Sequence, residues 1–298
     1  MLETIEACPI CKHTNFTPIV KCKDFTVSQT YFEVVACQQC DFHFTNPRPN
    51  IEQIGQYYQS ETYISHSNTR KGIINQLYHW VRQITLRRKV KLINGIYPKK
   101  GNILDIGTGT GYFLAACQNN GWQVMGTEPD EKTRLQAEKN TQKPIVSHIF
   151  DETLQNQKYQ VITLWHVLEH IHTLHESIEQ LKKLLADDGK LIIAVPNHNS
   201  YDRQHFQAFW AAYDLPRHLY HFTHKHIEQL FNTHGFTLLK VQPMYFDAYY
   251  IALMSHQYQY GKSRFLQSFY QGWRSNRYAA KNQNNYSSNV YILEKKSN

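Results

Sequence analysis

Long apolar runs are missing from this 298-residue sequence, although 41% of its residues are hydrophobic. No run approaches the roughly 20 residues that a membrane-spanning helix needs, so we expect no membrane span. The first residues, MLETIEACPI, also lack the basic start and the apolar core of a secretory signal. We therefore expect a cytoplasmic location, where the six cysteines are not expected to form disulfides.

Acidic residues are absent from two long stretches, and the chain carries a formal net charge of +8. Neither residues 62–104 nor residues 248–293 contain Asp or Glu, whereas both contain several Lys and Arg. Such basic stretches raise the local concentration of an anionic partner, such as a nucleic acid, a nucleotide-linked substrate or a lipid head group. The alternative is a basic helix face that only contacts solvent.

Hydrophobic spacing divides the chain into three parts. Residues 1–50 end in TNPRPN, where the prolines disfavour helix. Residues 51–98 carry apolar residues at three- and four-residue steps, which predicts a helical lid or linker. In residues 99–298, short β-rich runs alternate with helical stretches, which indicates an α/β domain with a parallel sheet covered by helices. A helical insertion is expected at about residues 246–285, before the last strand.

Two CxxC pairs lie within the first 50 residues. Cys8 and Cys11 belong to CPIC, and Cys37 and Cys40 belong to CQQC. Two such pairs supply four thiolates to one tetrahedral ion, as in a zinc ribbon. A unit of this size has little core of its own, so bound zinc is expected to contribute to its stability. A thioredoxin-like role would need a βαβ sequence pattern around the motif, which is absent there.

A glycine-rich loop follows the predicted strand NILDI. Gly107, Gly109 and Gly111 have the spacing GxGxG, and no Lys follows Gly111, which excludes a P-loop for nucleoside triphosphates. Asp105, at the end of the strand, would repel a pyrophosphate but suits an ammonium group. Glu128 ends the next predicted strand, where a carboxylate accepts hydrogen bonds from ribose hydroxyls. Together these residues favour a ligand that carries both an amino acid and a ribose.

The motif series LDIGTGTG, GTEPD, WHVLEHI and LIIAVPN resembles that of class I S-adenosylmethionine-dependent methyltransferases, over roughly residues 101–236. The resemblance implies a Rossmann-like, seven-stranded sheet with an antiparallel last strand. It also implies S-adenosylmethionine as the cofactor, with Asp105 near the amino group and Glu128 on the ribose. The residues that it places around the cofactor are Asp105, Gly107, Gly109, Gly111 and Glu128, with Phe150 and Asp151 beside the adenine. The sequence departs from the family at Gln160, where an Asp commonly opens the fourth strand.

A histidine and glutamate cluster with the pattern HxxEH follows the predicted strand VITLW. On a helix, His166, Glu169 and His170 would share one face. The pattern matches a metalloprotease motif, but its place inside the methyltransferase series argues against a protease. It also resembles the ExxEH element of metal-dependent methyltransferases, which implies a second divalent ion held with His218. Because His166 replaces a Glu of that element, zinc would suit the site better than magnesium.

The alternative for this cluster is that LEH packs the segment against the sheet while a histidine lines the substrate pocket. Without a metal, His166, His170 and His218 are candidates for a catalytic general base, because imidazole titrates near neutral pH. The sequence leaves both interpretations open.

The sequence therefore predicts an S-adenosylmethionine-dependent methyltransferase with an N-terminal zinc ribbon and a helical lid. The expected acceptor is an O, N or C nucleophile of a small molecule, and an anionic molecule is one possibility. Two alternatives stay open: an RNA methyltransferase, and a non-catalytic zinc-ribbon protein that only binds the cofactor. CxxC pairs before a methyltransferase resemble both bacterial deoxysugar C-methyltransferases and certain ribosomal RNA methyltransferases. The acceptor and the oligomeric state do not follow from the sequence.

Overall fold

A computed structural model describes residues 2–58 and 73–296, and for residues 73–80 it describes the backbone alone. The N-terminal part is built from short strands and turns. Its strands are β1 (Leu2–Glu3), β2 (Phe16–Lys23), β3 (Tyr31–Cys37), β4 (His43–Thr45) and β5 (Arg48–Pro49). β2, β3 and β4 form an antiparallel meander, and β1 pairs with β5.

The rest of the chain is organised by a second, larger sheet of six strands. These strands are β6 (Asn102–Ile106), β7 (Gln123–Thr127), β8 (Tyr159–Trp165), β9 (Leu185–Pro196), β11 (Phe236–Pro243) and β12 (Ser288–Lys295). The spatial order is β11-β12-β9-β8-β6-β7, and β12 runs antiparallel to both of its neighbours. β6 pairs in parallel with β7 and β8, and β8 pairs in parallel with β9. The carboxyl ends of four strands therefore meet at one edge of the sheet.

Helices lie on both faces of this sheet, which explains why most residues of β6, β8 and β9 are buried. The described helices are α1 (Ile73–Ile96), α2 (Tyr112–Gln118), α3 (Glu131–Thr141), α4 (Leu174–Leu184), α5 (Tyr201–Phe206), α6 (His224–Thr233), α7 (Asp247–Tyr260) and α8 (Phe265–Ala279). α3 begins after Asp130, whose carboxylate accepts a hydrogen bond from the N–H of Thr133. α7 ends at Gly261, whose positive φ of 70° stops the helix.

The predicted strand PIVSHIF is reduced to a single bridge, so the sheet has six strands where the sequence predicted seven. Val146 pairs in parallel with Thr127, and two hydrogen bonds link it to the N–H of Glu128 and the carbonyl of Gly126. Pro144 lacks an N–H and cannot extend the ladder toward the start of the segment. The fold remains the Rossmann-like α/β fold that the sequence predicted.

The N-terminal meander is completed by a strand from the larger part of the chain. β10 (Tyr220–His221) pairs antiparallel with β4, which gives a four-stranded sheet of order β10-β4-β3-β2. Phe42 and Phe44 of the N-terminal part are buried in the same apolar cluster as Leu219 and Phe222. The two parts of the chain therefore share both a sheet and a core.

Residues 59–72 of the predicted lid lie outside the described residues. α1, which follows them, packs against α2 through the buried side chains of Val90 and Ile93. The side chain of Asn94 accepts a hydrogen bond of 2.8 Å from the indole N–H of Trp122. Among the helices of the described residues, none combines the length and the hydrophobicity needed to span a bilayer.

Candidate functional site

The glycine loop (residues 107–111) lies at the carboxyl edge of the sheet, between Asp105 and Glu128. Asp105 is near the end of β6, and Glu128 directly follows β7, which is the parallel neighbour of β6. The carboxylate of Glu128 accepts hydrogen bonds from the N–H of Gly109 at 2.9 Å and from that of Asp130 at 3.1 Å. Both predicted carboxylates therefore border one loop, and their contact with a cofactor stays a prediction.

Gly107 and Gly109 show why this loop requires glycine at these positions. Gly107 has φ +65°, and a Cβ added there would lie 2.6 Å from Cγ2 of Val167. Gly109 has φ +55°, but a Cβ there would meet no atom within 4 Å. Gly109 thus faces open space beside the Glu128 carboxylate, and a ligand can approach its backbone closely because no side chain covers it.

Asp105 is an unusual carboxylate because it is only 2% exposed. Burial raises its pKa to about 6, although a hydrogen bond from the hydroxyl of Thr163 and the charge of Lys89 favour the ionised form. Burial in turn lowers the pKa of Lys89 to about 8, against the attraction of Asp105. The Lys89 ammonium also lies 4.1 Å from the ring centroid of Trp165. A buried acid and a half-buried base therefore influence each other's ionisation behind the loop.

Phe150 and Asp151 follow the bridge at Val146. The Phe150 side chain is 43% exposed, as expected for an aromatic ring available to a ligand. The Asp151 carboxylate accepts a hydrogen bond from the N–H of Thr153 and so begins a 3-10 turn at Glu152–Asn156. Their placement beside an adenine stays a prediction.

The HxxEH cluster does not lie on one helix. A 3-10 turn covers only Leu168–His170, and His166 precedes it with a positive φ of 58°. The helical spacing expected from the sequence is therefore wrong here, because the chain turns sharply at the carboxyl end of β8. Glu169 and His170 still face the same interior space, and His218 joins them from a distant segment.

We call Glu169, His170 and His218 the histidine pocket. One oxygen of Glu169 and one ring nitrogen of each histidine lie within 4.8 Å of one another. Glu169 is fully buried, yet neither of its carboxylate oxygens has a hydrogen-bond partner among the described residues. Burial alone would raise the pKa of Glu169, but the neighbouring histidines outweigh it and lower that pKa. A buried carboxylate without hydrogen bonds costs several kcal/mol unless a cation or a donor lies near it. Such groups here include Nδ1 of His166, 3.5 Å from Oε1 of Glu169, and Nε2 of His218, 4.0 Å from the same oxygen.

Hydrogen bonds from behind orient both histidines of the pocket. Nδ1 of His218 lies 2.9 Å from the carbonyl of Ala212. Nδ1 of His170 lies 3.0 Å from the carbonyl of Arg217 and 2.9 Å from the hydroxyl of Tyr58. With Nδ1 engaged, the Nε2 atom of each ring is left to face the pocket. Metal-binding histidines are commonly held in this way, and the donor set of one carboxylate and two imidazoles suits zinc.

His166 lies beside this pocket but is engaged elsewhere. Its Nε2 is 3.0 Å from Asp247, and its Nδ1 is 3.5 Å from Glu169. Burial lowers the pKa of His166, but the two carboxylates outweigh it and raise that pKa to about 10. His166 is therefore held as an imidazolium, and the structure does not bring it into the ligand group with His170 and His218.

A buried ion pair joins the histidine pocket to the N-terminal part. The Arg217 side chain is almost fully buried and contacts Asp214 at 2.6 Å and Asp24 at 3.4 Å. It also donates to the carbonyl of Tyr57 at 2.8 Å. Asp24 belongs to the turn after β2, so a residue 193 positions away helps to place the segment that carries His218.

The four cysteines form the cysteine site at one end of the N-terminal sheet. The Sγ atoms of Cys8 and Cys40 are 3.6 Å apart, those of Cys11 and Cys37 are 3.4 Å apart, and all four lie within 4.8 Å of one another. A tetrahedral zinc ion with Zn–S bonds of about 2.3 Å needs sulfurs about 3.8 Å apart. The residue after each pair, Lys12 or Asp41, has a positive φ, so both knuckles turn alike. The arrangement fits zinc, as the sequence predicted for these four residues.

A groove of about 650 Å³ lies between α1 and the edge of the sheet formed by β11 and β12. Its apolar lining includes Leu92, Ile96, Trp165, Val290 and Ile292, and its cations are Arg88, Lys89, Lys91 and Lys240. The indole N–H of Trp165 has no hydrogen-bond partner within the described residues. Asp247, the partner of His166, also lines this basic groove, so the groove and the histidine pocket meet at one ion pair.

Several site residues escaped the sequence reasoning because their partners are distant. Thr163 reaches Asp105 from the neighbouring strand, and Asp247 reaches His166 from the start of α7. Asp247 carried one weak signal, because it directly precedes the acid-free stretch of residues 248–293. Arg217 carried none, since its ion pair with Asp24 appears only in the folded chain.

Comparisons with known proteins agree with this architecture. Residues 77–241, more than half of the chain, match the family described as a methyltransferase domain. The ubiquinone biosynthesis O-methyltransferase of Actinobacillus pleuropneumoniae serotype 5b (strain L20) is 34% identical over 115 residues, which cover 35% of this chain and 48% of that protein. The protein of the same name from Yersinia enterocolitica serotype O:8 is 30% identical over 129 residues, which cover 41% of this chain and 52% of that protein. The chain thus spans about half the length of these curated relatives.

A solved structure shows the same fold at low sequence identity. The magnesium protoporphyrin IX methyltransferase from Synechocystis PCC 6803 with bound SAH superposes with a TM-score of 0.53 at 15% identity, covering 83% of this chain and all of that chain. The same protein with bound SAM gives a TM-score of 0.51 at 16% identity, covering 85% of this chain. The chain belongs to the class I S-adenosylmethionine-dependent methyltransferase family.

Proposed function

We propose that the protein transfers a methyl group from S-adenosylmethionine to a small acceptor molecule. The observation that carries this proposal is the meeting of Asp105, the glycine loop and Glu128 at the carboxyl ends of two adjacent parallel strands. Ligands of open α/β sheets bind at this edge. Asp105 would face the ammonium group of the cofactor. Glu128 now accepts hydrogen bonds from two backbone N–H groups, and it would accept hydrogen bonds from the ribose hydroxyls in their place.

The cofactor supplies an electrophilic methyl group, so the chain itself has to orient the acceptor and exclude water. The pocket residues fit this task because Glu169 and His218 are buried, His170 is half-buried, and hydrogen bonds from behind hold both histidines. His170 and His218 are the candidates for accepting an acceptor proton at Nε2. His166 would act as a fixed positive charge, because Asp247 and Glu169 hold it protonated.

The basic groove supports an anionic acceptor with an apolar body. Leu92, Val290 and Ile292 form an apolar surface, and Arg88 and Lys240 add positive charge to the same groove. Charged side chains placed beside apolar surface recognise amphiphilic anions, since each part of the ligand finds a matching environment. Because Asp247 lines the basic groove and contacts His166, an acceptor in the groove would be directed toward His166 and the glycine loop.

An RNA acceptor is the second candidate, because Arg87, Arg88 and Lys91 are exposed on α1. A transfer assay with labelled cofactor, run on separate RNA and small-molecule fractions of a cell extract, discriminates the two acceptors. Label in the small-molecule fraction supports our proposal, and label confined to RNA contradicts it. Cofactor binding without transfer to either fraction would instead favour the non-catalytic alternative.

Titration of S-adenosylhomocysteine by calorimetry tests cofactor binding directly. We expect binding by the natural chain and at least about tenfold weaker binding by Glu128→Gln, since charged hydrogen bonds contribute about 1.5–3 kcal/mol. Glu131→Gln is the matched control, because Glu131 is an exposed acid three residues away that contacts no part of the glycine loop in the described structure. Absence of binding at millimolar ligand would overturn the proposal.

We also propose two metal sites: a structural zinc at the cysteine site and a divalent ion in the histidine pocket. Both donor sets fit, with four thiols in one site and one carboxylate and two imidazoles in the other. Metal analysis of protein purified without chelator should therefore give two ions per chain. Glu169→Gln should remove one and leave the other, and Cys8→Ser should remove the zinc. A single ion in the natural chain that Glu169→Gln does not change would exclude the second site.

A further inference from the structure

α8 turns its large apolar side chains outward, which is the reverse of an ordinary surface helix. We call Phe265, Leu266, Phe269, Tyr270 and Trp273 the aromatic face. All five are exposed, from 44% for Trp273 to 88% for Leu266. Their spacing of three and four residues places them on one side of the helix. Exposed large apolar residues elsewhere in the chain include isolated ones such as Leu135, but a contiguous apolar surface of this kind marks an interaction site.

The inward side of α8 explains why the helix cannot simply rotate to bury this face. It carries only small or polar residues, namely Ser268, Gln271, Gly272, Ser275 and Ala279. A Cβ on Gly272 would lie 2.7 Å from the Tyr249 ring, so α7 approaches too closely for a larger residue. Ser275 also donates a hydrogen bond to the buried Asp202. The outward orientation is therefore fixed by the packing beneath it.

Positive charge surrounds the aromatic face. Arg264, Arg274 and Arg277 lie on or next to α8, Lys262 precedes it and Lys281 follows it, and residues 248–293 contain no Asp or Glu. The Arg264 guanidinium stacks 3.7 Å from the centroid of Tyr260, and that of Arg277 lies 5.4 Å from the centroid of Trp273. None of these five cations takes part in a salt bridge within the described chain. They remain available to anions outside the protein.

We propose that the aromatic face is a docking site for an anionic lipid surface, on which α8 lies parallel to the membrane plane. Helices with one apolar aromatic side and flanking Lys and Arg bind in this way, with Trp and Tyr at the level of the head groups. The basic residues would meet lipid phosphates while Leu266 and Phe269 enter the acyl region. This role is separate from methyl transfer, and no spanning helix is needed for it.

The same observations disfavour the two other occupants. A second copy of the chain paired through the same face would bring Arg274 and Arg277 against their own counterparts without intervening acids. A single-stranded nucleic acid would stack on aromatic rings, but Leu266 has no ring and is the most exposed residue of the face. An apolar phase accounts for the exposure of Leu266, and an anionic lipid surface offers that phase beside negative charge.

Flotation with vesicles tests the proposal without cofactor or acceptor, so its outcome is independent of the methyltransferase assignment. We expect binding to phosphatidylcholine vesicles that contain phosphatidylglycerol, and much weaker binding to phosphatidylcholine alone. Leu266→Asp with Phe269→Asp should weaken binding at least about tenfold. Leu135→Asp is the matched control, because Leu135 is an exposed leucine, 52% accessible, on α3. Far-UV circular dichroism confirms that each variant is folded.

A second pair of variants tests the charge. Arg274→Gln with Arg277→Gln should weaken binding to the anionic vesicles, by about fivefold per removed cation, and reduce its dependence on salt. Lys139→Gln with Lys183→Gln removes the same charge from exposed positions elsewhere and should change little.

Three outcomes would overturn the lipid assignment. One is failure of the natural chain to bind the anionic vesicles. Another is that the Leu266 and Phe269 variant loses binding to a single-stranded RNA oligonucleotide while it keeps vesicle binding. The third is that the natural chain sediments as a dimer that the same variant dissociates.

Discussion

The glycine loop and the histidine pocket lie at the same edge of one sheet, but their parts come from different distances along the chain. The loop, Asp105 and Glu128 all fall within residues 105–128, on two adjacent strands and their connections. The pocket joins Glu169 and His170 to His218, and its support comes from residues near the N-terminus. One site is thus a local motif, and the other is a product of tertiary packing.

Because of this difference, we expect the two sites to respond to different kinds of substitution. The loop depends on backbone geometry, so a single side chain in the wrong place should destroy it. The pocket depends on an interface between two parts of the chain, so changes far from it in sequence should reach it. Cofactor binding reports on the glycine loop, and metal content reports on the histidine pocket. The four predictions below, in order of decreasing expected effect, test whether the two regions are as independent as the structure indicates.

The largest effect is expected for Gly109→Val. Its φ of +55° disfavours any branched side chain, and the added methyl groups would enter the open space beside Glu128. Calorimetry should detect no S-adenosylhomocysteine binding, whereas the metal content of the histidine pocket should not change. Gly55→Ala is the control, because Gly55 has free space around it and no positive φ. Loss of both signals would show that the two regions are not independent.

Cys37→Ser should have the reverse effect of Gly109→Val, because it should reduce metal content and leave cofactor binding unchanged. Removing one thiolate should abolish tight binding of the proposed zinc, and the N-terminal part would then lose much of the free energy that holds it folded. Because β4 pairs with β10 next to His218, the histidine pocket should lose its metal as well. S-adenosylhomocysteine binding should persist, since the glycine loop rests on the central sheet. Cys22→Ala serves as the control for a buried cysteine outside the cysteine site.

The pH dependence of cofactor binding near pH 6 should report mainly on Asp105, although burial also raises the pKa of Glu128. Its pKa is raised to about 6 by burial, so the carboxyl is mostly ionised at pH 7 and mostly protonated at pH 5. An ammonium group binds the ionised form, so affinity should fall as pH decreases through 6 and be about tenfold weaker at pH 5. Calorimetry at several pH values measures this, and Asp105→Asn should give weaker binding with a flat profile. A pH dependence that survives in this variant would assign the titration to another group.

The smallest effect is expected for Thr45→Val. The Thr45 hydroxyl donates a buried hydrogen bond of 2.6 Å to the carbonyl of His218, and its loss should cost about 1–2 kcal/mol of unfolding free energy. Metal affinity of the pocket should decrease several-fold while cofactor affinity stays constant. Thr17→Val, an exposed threonine of β2 in the same sheet, should change neither quantity.

The sequence predicted the features that depend on neighbours in the chain. Strands β6 and β8, the glycine loop and the two cysteine knuckles follow from local spacing, because periodicity and turn residues act over a few positions. The seventh strand was wrong because Pro144 and the short pairing at Val146 limit the ladder, which the apolar pattern PIVSHIF does not reveal. The prediction of a helix through HxxEH was wrong for a related reason. The chain turns sharply after β8, and only Leu168–His170 form a 3-10 turn despite the helical spacing of the motif.

The supporting contacts of the pocket could not be predicted in this way. The Asp247–His166 and Arg217–Asp24 pairs join positions that share no motif, and only the fold brings them together. The burial of the Glu169 carboxylate without a hydrogen bond from the described residues is likewise a property of the packed interior. Such pairs appear in a sequence as isolated charges, which carry no information about what they face.

The shared strand β10 has a consequence for the order in which the chain acquires structure. Synthesis of β4 is complete at residue 45, but its partner at Tyr220–His221 is synthesised about 175 residues later. At ordinary rates of synthesis this is a delay of about 10–35 s. During that interval one side of β4 has no neighbour to bond with. Early capture of zinc by the thiols would therefore protect the nascent segment from unwanted pairing with other chains.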